Sequence, residues 1–189
     1  MKAMEDTITA HRANFTNIPD IPLMDAPVVE ENMFGDYKTD LSVKHSVNIV
    51  LIEPWGIQFN GYVNGDYTDY GFVVSRKTSD LAEMLEDADT HVFSLTNGDV
   101  TLEATTMGTK ISGIYNKDIY TYQMNEDLYA AFFVKDADGT YHFGAVKTRN
   151  ILNIIEGLVN NPAHKAEHAV YRAMIDMYYA VTEFRNNAN

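Results

Sequence analysis

No cysteine occurs in the 189 residues, which excludes disulfide staples, thiolate zinc sites and cysteine nucleophiles. Positive charge is scarce: 14 Lys and Arg stand against 27 Asp and Glu, for a net charge of −13. A field of that sign repels phosphates, so direct binding of nucleic acid or an anionic membrane is not expected. No window approaches the ~20 apolar residues of a membrane-spanning helix. Met1-Lys-Ala-Met-Glu-Asp6 also lacks the apolar core of a leader. The expectation is a soluble, cytoplasmic chain. Glycine-rich phosphate loops, nucleophile elbows and kinase signatures are missing too, which points away from an enzyme and implies no cofactor.

What the chain does have is apolar material organised in short runs. Forty-six per cent of its residues are hydrophobic, and at this length folding removes roughly 70% of the unfolded surface from water. Apolar or alternating stretches at 43–53, 57–63, 71–76, 91–96, 99–104, 110–115, 119–124, 128–135 and 141–146 read as strands. The breaks between the later ones carry Asn97-Gly98, Asn116-Lys-Asp118, Asn125-Glu-Asp127 and Asp138-Gly139, residues that tolerate or build turns. Thr78 to Asp87 has a capping hydroxyl, early acids and apolar residues at helical spacing, so a short helix is expected over 78–88. Helical spacing returns over 149–160, with Thr148 as the expected cap, and over 162–185, with Asn161 as cap and Pro162 at the first helical position.

The fold expected is therefore α+β: one domain over 41–189, with a mostly antiparallel meander of seven to nine strands between 43 and 148 and C-terminal helices packed on one face. Residues 1–40 are expected to form a short helix and an arm bearing Pro19, Pro22 and Pro27 that docks on its own domain or on another subunit.

Three patterns bear on function. Asp66-Tyr-Thr-Asp-Tyr70 gathers two acids and two tyrosines at a hairpin end, and Asp66, Tyr67, Asp69 and Tyr70 are candidate residues for contact with a protein partner. Val170, Met174, Met177, Val181 and Phe184 follow one another at steps of four, three, four and three, an apolar seam for core packing or for pairing with another copy. His164-Lys-Ala-Glu-His168 resembles the His-x-x-Glu-His arrangement of inverted zinc peptidases, which implies two histidine ligands and a water-activating glutamate. The resemblance covers five residues and no distant carboxylate completes the set, so no metal site is expected at His164 and His168.

Acidity is uneven along the chain. Residues 1–40 and 41–90 each hold eight acids against three bases, whereas 149–189 is balanced at four against four. The function expected is a non-catalytic, acidic protein-binding protein, an inhibitor or accessory factor of bacteriophage type acting on a basic, nucleic-acid-handling partner. The alternatives are a structural, homo-oligomeric subunit of virion type and a domain binding a small molecule or nucleotide.

Overall fold

A computed structural model describes residues 27–51, 56–116 and 121–187. The expected helix near the N-terminus and the three prolines' arm fall largely outside them. The α+β architecture is as expected, but its strands form two sheets rather than one meander. They run β1 (Tyr37–Lys38), β2 (Lys44–Val50), β3 (Gly56–Val63), β4 (Asp69–Ser75), β5 (His91–Ser94), β6 (Thr101–Thr105), β7 (Gly108–Tyr115), β8 (Leu128–Lys135), β9 (Tyr141–Phe143) and β10 (Lys147–Arg149). Helix α1 (Leu81–Glu86) lies between β4 and β5, and α2 (Ile151–Val159) and α3 (His168–Asn187) follow the last strand.

The larger sheet has the order β1-β9-β8-β4-β5, with β10 continuing the β9 edge along β8; the smaller has the order β2-β3-β7-β6. All pairings are antiparallel except the parallel β1–β9 pair, where Tyr37 meets Tyr141.

The two sheets face each other. Period-two alternation sends Ile57, Phe59 and Val63 of β3 and Ile111 and Tyr115 of β7 against Phe72, Val74, Phe93, Ala130 and Phe132 of the larger sheet. Aromatic rings dominate the contact: Phe72 stacks on Phe93 at 4.6 Å between centroids and lies 5.2 Å from Phe132. Glycine makes room for them. A Cβ at Gly61 would lie 2.5 Å from the nearest Phe132 ring carbon, and one at Gly113 would lie 2.6 Å from the Phe72 ring.

The larger sheet is also covered on its outer face. Val73, Val92, Ala131, Phe133 and Phe143 pack there against Val29 and Phe34 of the N-terminal segment and Met84 and Leu85 of α1. This two-sided burial explains why β4 and β8 read as continuous apolar runs rather than alternating ones. Helix α2 closes one edge of the sandwich through Ile154, and α3 packs on α2 rather than on a sheet, with Ile155, Tyr171 and Tyr178 buried beside Met124.

Several expected boundaries move. The strand expected over 119–124 is replaced by a 3-10 turn at Thr121–Gln123, residues 117–120 lying outside the described set. Both edges of β7 are taken, by β3 and β6, and the next strand in the chain, β8, belongs to the larger sheet. The strand expected over 141–146 stops at Phe143 and resumes as β10, and the cap of α2 is Asn150, whose Oδ1 accepts from the Asn153 N–H at 2.9 Å, not Thr148. Helix α1 is shorter than 78–88 and is capped by Asp80. The helix expected over 162–185 begins as a 3-10 segment, Pro162–Glu167, with Asn161 as its cap.

Candidate functional site

The segments covering the outer face of the larger sheet bring acids together. Residues 27–36 contribute Glu30, Glu31 and Asp36, residues 78–89 contribute Asp80, Glu83, Glu86, Asp87 and Asp89, and neither stretch contains a base. Both are anchored in one apolar cluster, through Val29 and Phe34 on one side and Met84 and Leu85 on the other, so their carboxylates share a surface. All but Asp87 are exposed. Lys77 flanks the layer and bridges Asp87 at 3.0 Å and Asp89 at 2.6 Å, leaving the remaining six carboxylates without such a bridge among the described residues.

The tyrosine-acid loop divides. Asp66 is exposed and Tyr67 half-buried, but Asp69 and Tyr70 are buried. Asp69 Oδ1 accepts from the backbone N–H groups of Tyr70 (2.9 Å) and Thr96 (3.0 Å), and Tyr70 Oη accepts from the Tyr67 N–H at 3.0 Å. Those two residues staple the crossing from β3 to β4, so of the four expected contact residues Asp66 and part of Tyr67 are the ones left at the surface. Beside this loop His142 is held between two carboxylates, Nδ1 at 2.6 Å from Asp40 and Nε2 at 2.9 Å from Asp136. The hydrogen bond with Asp40 leads in raising the imidazole above its ordinary 6.5, and the same bond holds Asp40 below 3.8. Burial, followed by the charge of Asp136, pushes the Tyr67 hydroxyl up.

The histidine pair is not stacked one turn apart on an α-helix. His164 has φ −108° and ψ 22° inside the 3-10 segment, which turns about 120° per residue, so residues 164 and 168 do not stack on one face as they would in an α-helix. His168 Nε2 lies 2.9 Å from the Asn161 carbonyl, and the His164 ring packs edge-on toward Tyr171. Among the described residues no group of three or more His, Asp or Glu side chains is arranged to hold a metal ion.

Along the expected seam, Val170 is fully buried, Met174, Met177 and Val181 are half-buried, and Phe184 is 73% exposed. The buried face of α3 turns instead through Tyr171 and Tyr178, which the seam omitted. Burial pushes the Tyr171 hydroxyl up to about 12, with the Glu167 charge adding to it.

A feature that no local motif announced lies on the opposite edge of the sandwich, a cleft of about 370 Å³ between β2, β10 and one face of α2. Val47, Ile154 and Leu158 give it an apolar floor; Thr148, Arg149, Asn150, Asn153, Asn161 and Asp127 form a polar rim. Lys147 and Arg149 pair with Ala130 and Leu128, both core residues, so alternation puts the two cations on the side of the strand that faces β2, with Arg149 half-buried and Lys147 exposed. There His45 packs edge-on against Phe132. Its burial, and then the charges of Lys147 and Arg149, lower its pKa to about 4 and keep it neutral.

Comparison of the chain with protein-family models, with curated proteins and with solved structures found no match in any of the three. The functional reading rests on the surfaces themselves.

Proposed function

We propose that this chain is a non-catalytic binding protein whose acidic layer docks on a basic surface of another protein, one that handles nucleic acid, acting as its inhibitor or accessory factor. The observation that carries this reading is the placement of eight acids and no base in the two segments that jointly cover one face of the larger sheet. Packing the apolar residues beneath them anchors the carboxylates, so docking costs little ordering of the backbone. Like charges held together repel one another, and a cationic partner relieves that repulsion while its approach is accelerated.

The test is capture from the native host with wild-type protein and with Glu30→Gln, Glu31→Gln, Glu83→Gln, Glu86→Gln combined. These exposed changes leave Val29, Phe34, Met84 and Leu85 in place. The expected result is a basic protein held by the wild type, lost on the neutralised surface, and bound with a falling association rate as salt rises. Retention by the neutralised variant would refute the reading. A second reading, a self-assembling structural subunit, is favoured by Phe184, which α3 leaves 73% exposed beyond half-buried Met177 and Val181. Solution mass of wild type and Phe184→Ser distinguishes the two.

A further inference from the structure

The cleft is chemically unlike the rest of the molecule. Acids outnumber bases almost two to one in the chain, yet neither Lys147 nor Arg149 makes an ion pair among the described residues. Arg149 spends one N–H on the Thr148 carbonyl at 2.7 Å, and the rest of its fork is unspent among the described residues. Asn153 makes no side-chain hydrogen bond among the described residues, and Asn161 uses only its Oδ1, on the Ala163 N–H, so its amide N–H groups are free to donate. Donors therefore converge on a cleft floored by Val47, Ile154 and Leu158. The acceptor on the rim, Asp127, already takes a bond from Asn150 Nδ2 at 3.0 Å.

Gly157 adds an independent argument. It lies inside α2, in its last turn, where glycine is a poorer helix former than alanine. Nothing lies within 4 Å of where its Cβ would be. Packing therefore does not demand glycine here; what the missing side chain leaves open is the cleft that Gly157 lines.

We propose that this cleft binds a small amphipathic carboxylate, its apolar body on Val47, Ile154 and Leu158 and its anionic end on Arg149 and the free amide of Asn153. A planar monoanion matches the guanidinium fork. A phosphate dianion fits less well, because Asp127 and the net charge of −13 oppose a second negative charge. The cleft lies away from the acidic layer, so this proposal stands or falls independently of the docking function.

The test compares hexanoate, hexanol, hexylamine and inorganic phosphate by amide chemical-shift titration of the full chain. Wild-type protein is expected to bind hexanoate saturably, with shifts at Asn153 and Gly157 and a dissociation constant in the millimolar range or below, and to bind the alcohol and amine at least about 10-fold more weakly. Bound hexanoate should also raise the His45 pKa, since it offsets the two cations that lower it. Arg149→Gln should erase the preference for the acid over the alcohol, and Gly157→Leu should abolish binding. Arg149 is half-buried at the rim and its conservative replacement serves if the leucine variant does not fold. No saturable binding of hexanoate, equal binding of acid and alcohol by the wild type, or an acid preference that survives Arg149→Gln would each overturn the proposal.

Discussion

Gly61→Ala places a methyl group where the two sheets meet. Its Cβ would lie 2.5 to 2.7 Å from three carbons of the Phe132 ring, whereas carbon atoms rest at about 3.5 to 4.0 Å. Phe132 must therefore retreat by about 1 Å, but it is fully buried, with Phe72 at 5.2 Å on one side and His45 at 5.1 Å on another. Overpacking of this kind costs about 1–3 kcal/mol. Alanine recovers about 0.4–1 kcal/mol by restricting the unfolded chain. The net expectation is a loss of about 1–2 kcal/mol, read as a lower urea midpoint at unchanged slope and a melting temperature lower by about 2–8 °C. Phe132→Leu alone should also destabilise, because it leaves part of the ring's space empty. Combined with Gly61→Ala it should cost less than the sum of the two, since the smaller side chain vacates space the methyl needs. Strict additivity, or a Gly61→Ala protein as stable as wild type, would show that the sheets do not meet at this pair.

Gly157→Ala is the matching control: with no atom near its Cβ, it should stabilise the protein by about 0.5–1 kcal/mol in the same urea assay. His142 contributes stability that is full below its unfolded value of 6.5 and is lost as pH rises through its raised folded value. His142→Gln should therefore cost more stability near about pH 6 than near about pH 9, and an equal loss at both would refute the charged pairing with Asp40 and Asp136. Replacing His164 and His168 together with alanine should leave the melting temperature nearly unchanged with or without added zinc, and stoichiometric zinc in the purified protein would contradict this. Ile155→Ala, at the fully buried contact between α2 and α3, should cost about 2–5 kcal/mol in the urea assay, whereas Phe184→Ser should cost almost nothing in a monomer.

Alternation and turn residues made most strands legible, because the period of apolar residues is a local property. Which strand pairs with which is not local. Nothing in Ile57 to Val63 says that its neighbours are β2 and β7 while β4, next in the chain, belongs to the other sheet. Ile119 to Met124 alternates as well as several true strands, yet its described part holds a 3-10 turn at Thr121–Gln123. Lys147-Thr-Arg149 is too short and polar to announce a strand, yet it carries Arg149, the cation that lines the cleft. The terminal seam, stepping by four and three from Val170 to Phe184, leaves out Tyr171 and Tyr178, whose hydroxyls make them less plainly apolar in sequence. Helix α2 covers the part of α3 that holds those tyrosines and leaves Phe184 exposed. The cleft draws on three separate stretches of chain, around Val47, Asp127 and 148–161, and its faint sequence mark is Gly157 in a mainly apolar helix with Asn150, Asn153, Asn160 and Asn161 near it.

The alternation of hairpins between sheets governs how the molecule can be made. The chain lays β2 and β3 in one sheet, β4 and β5 in the other, returns for β6 and β7, and only then supplies β8, the strand that lies between β4 and β9. Until Leu128–Lys135 leaves the ribosome, β4 has an unpaired edge and both of its apolar faces lack part of their cover. The N-terminal segment waits longer still, since Tyr37 pairs with Tyr141. Contacts this distant in sequence slow folding, toward milliseconds to seconds for β-rich domains. During synthesis the growing chain carries a sticky, half-paired β4, so its yield should depend on holdase chaperones in a way that the finished protein's stability does not.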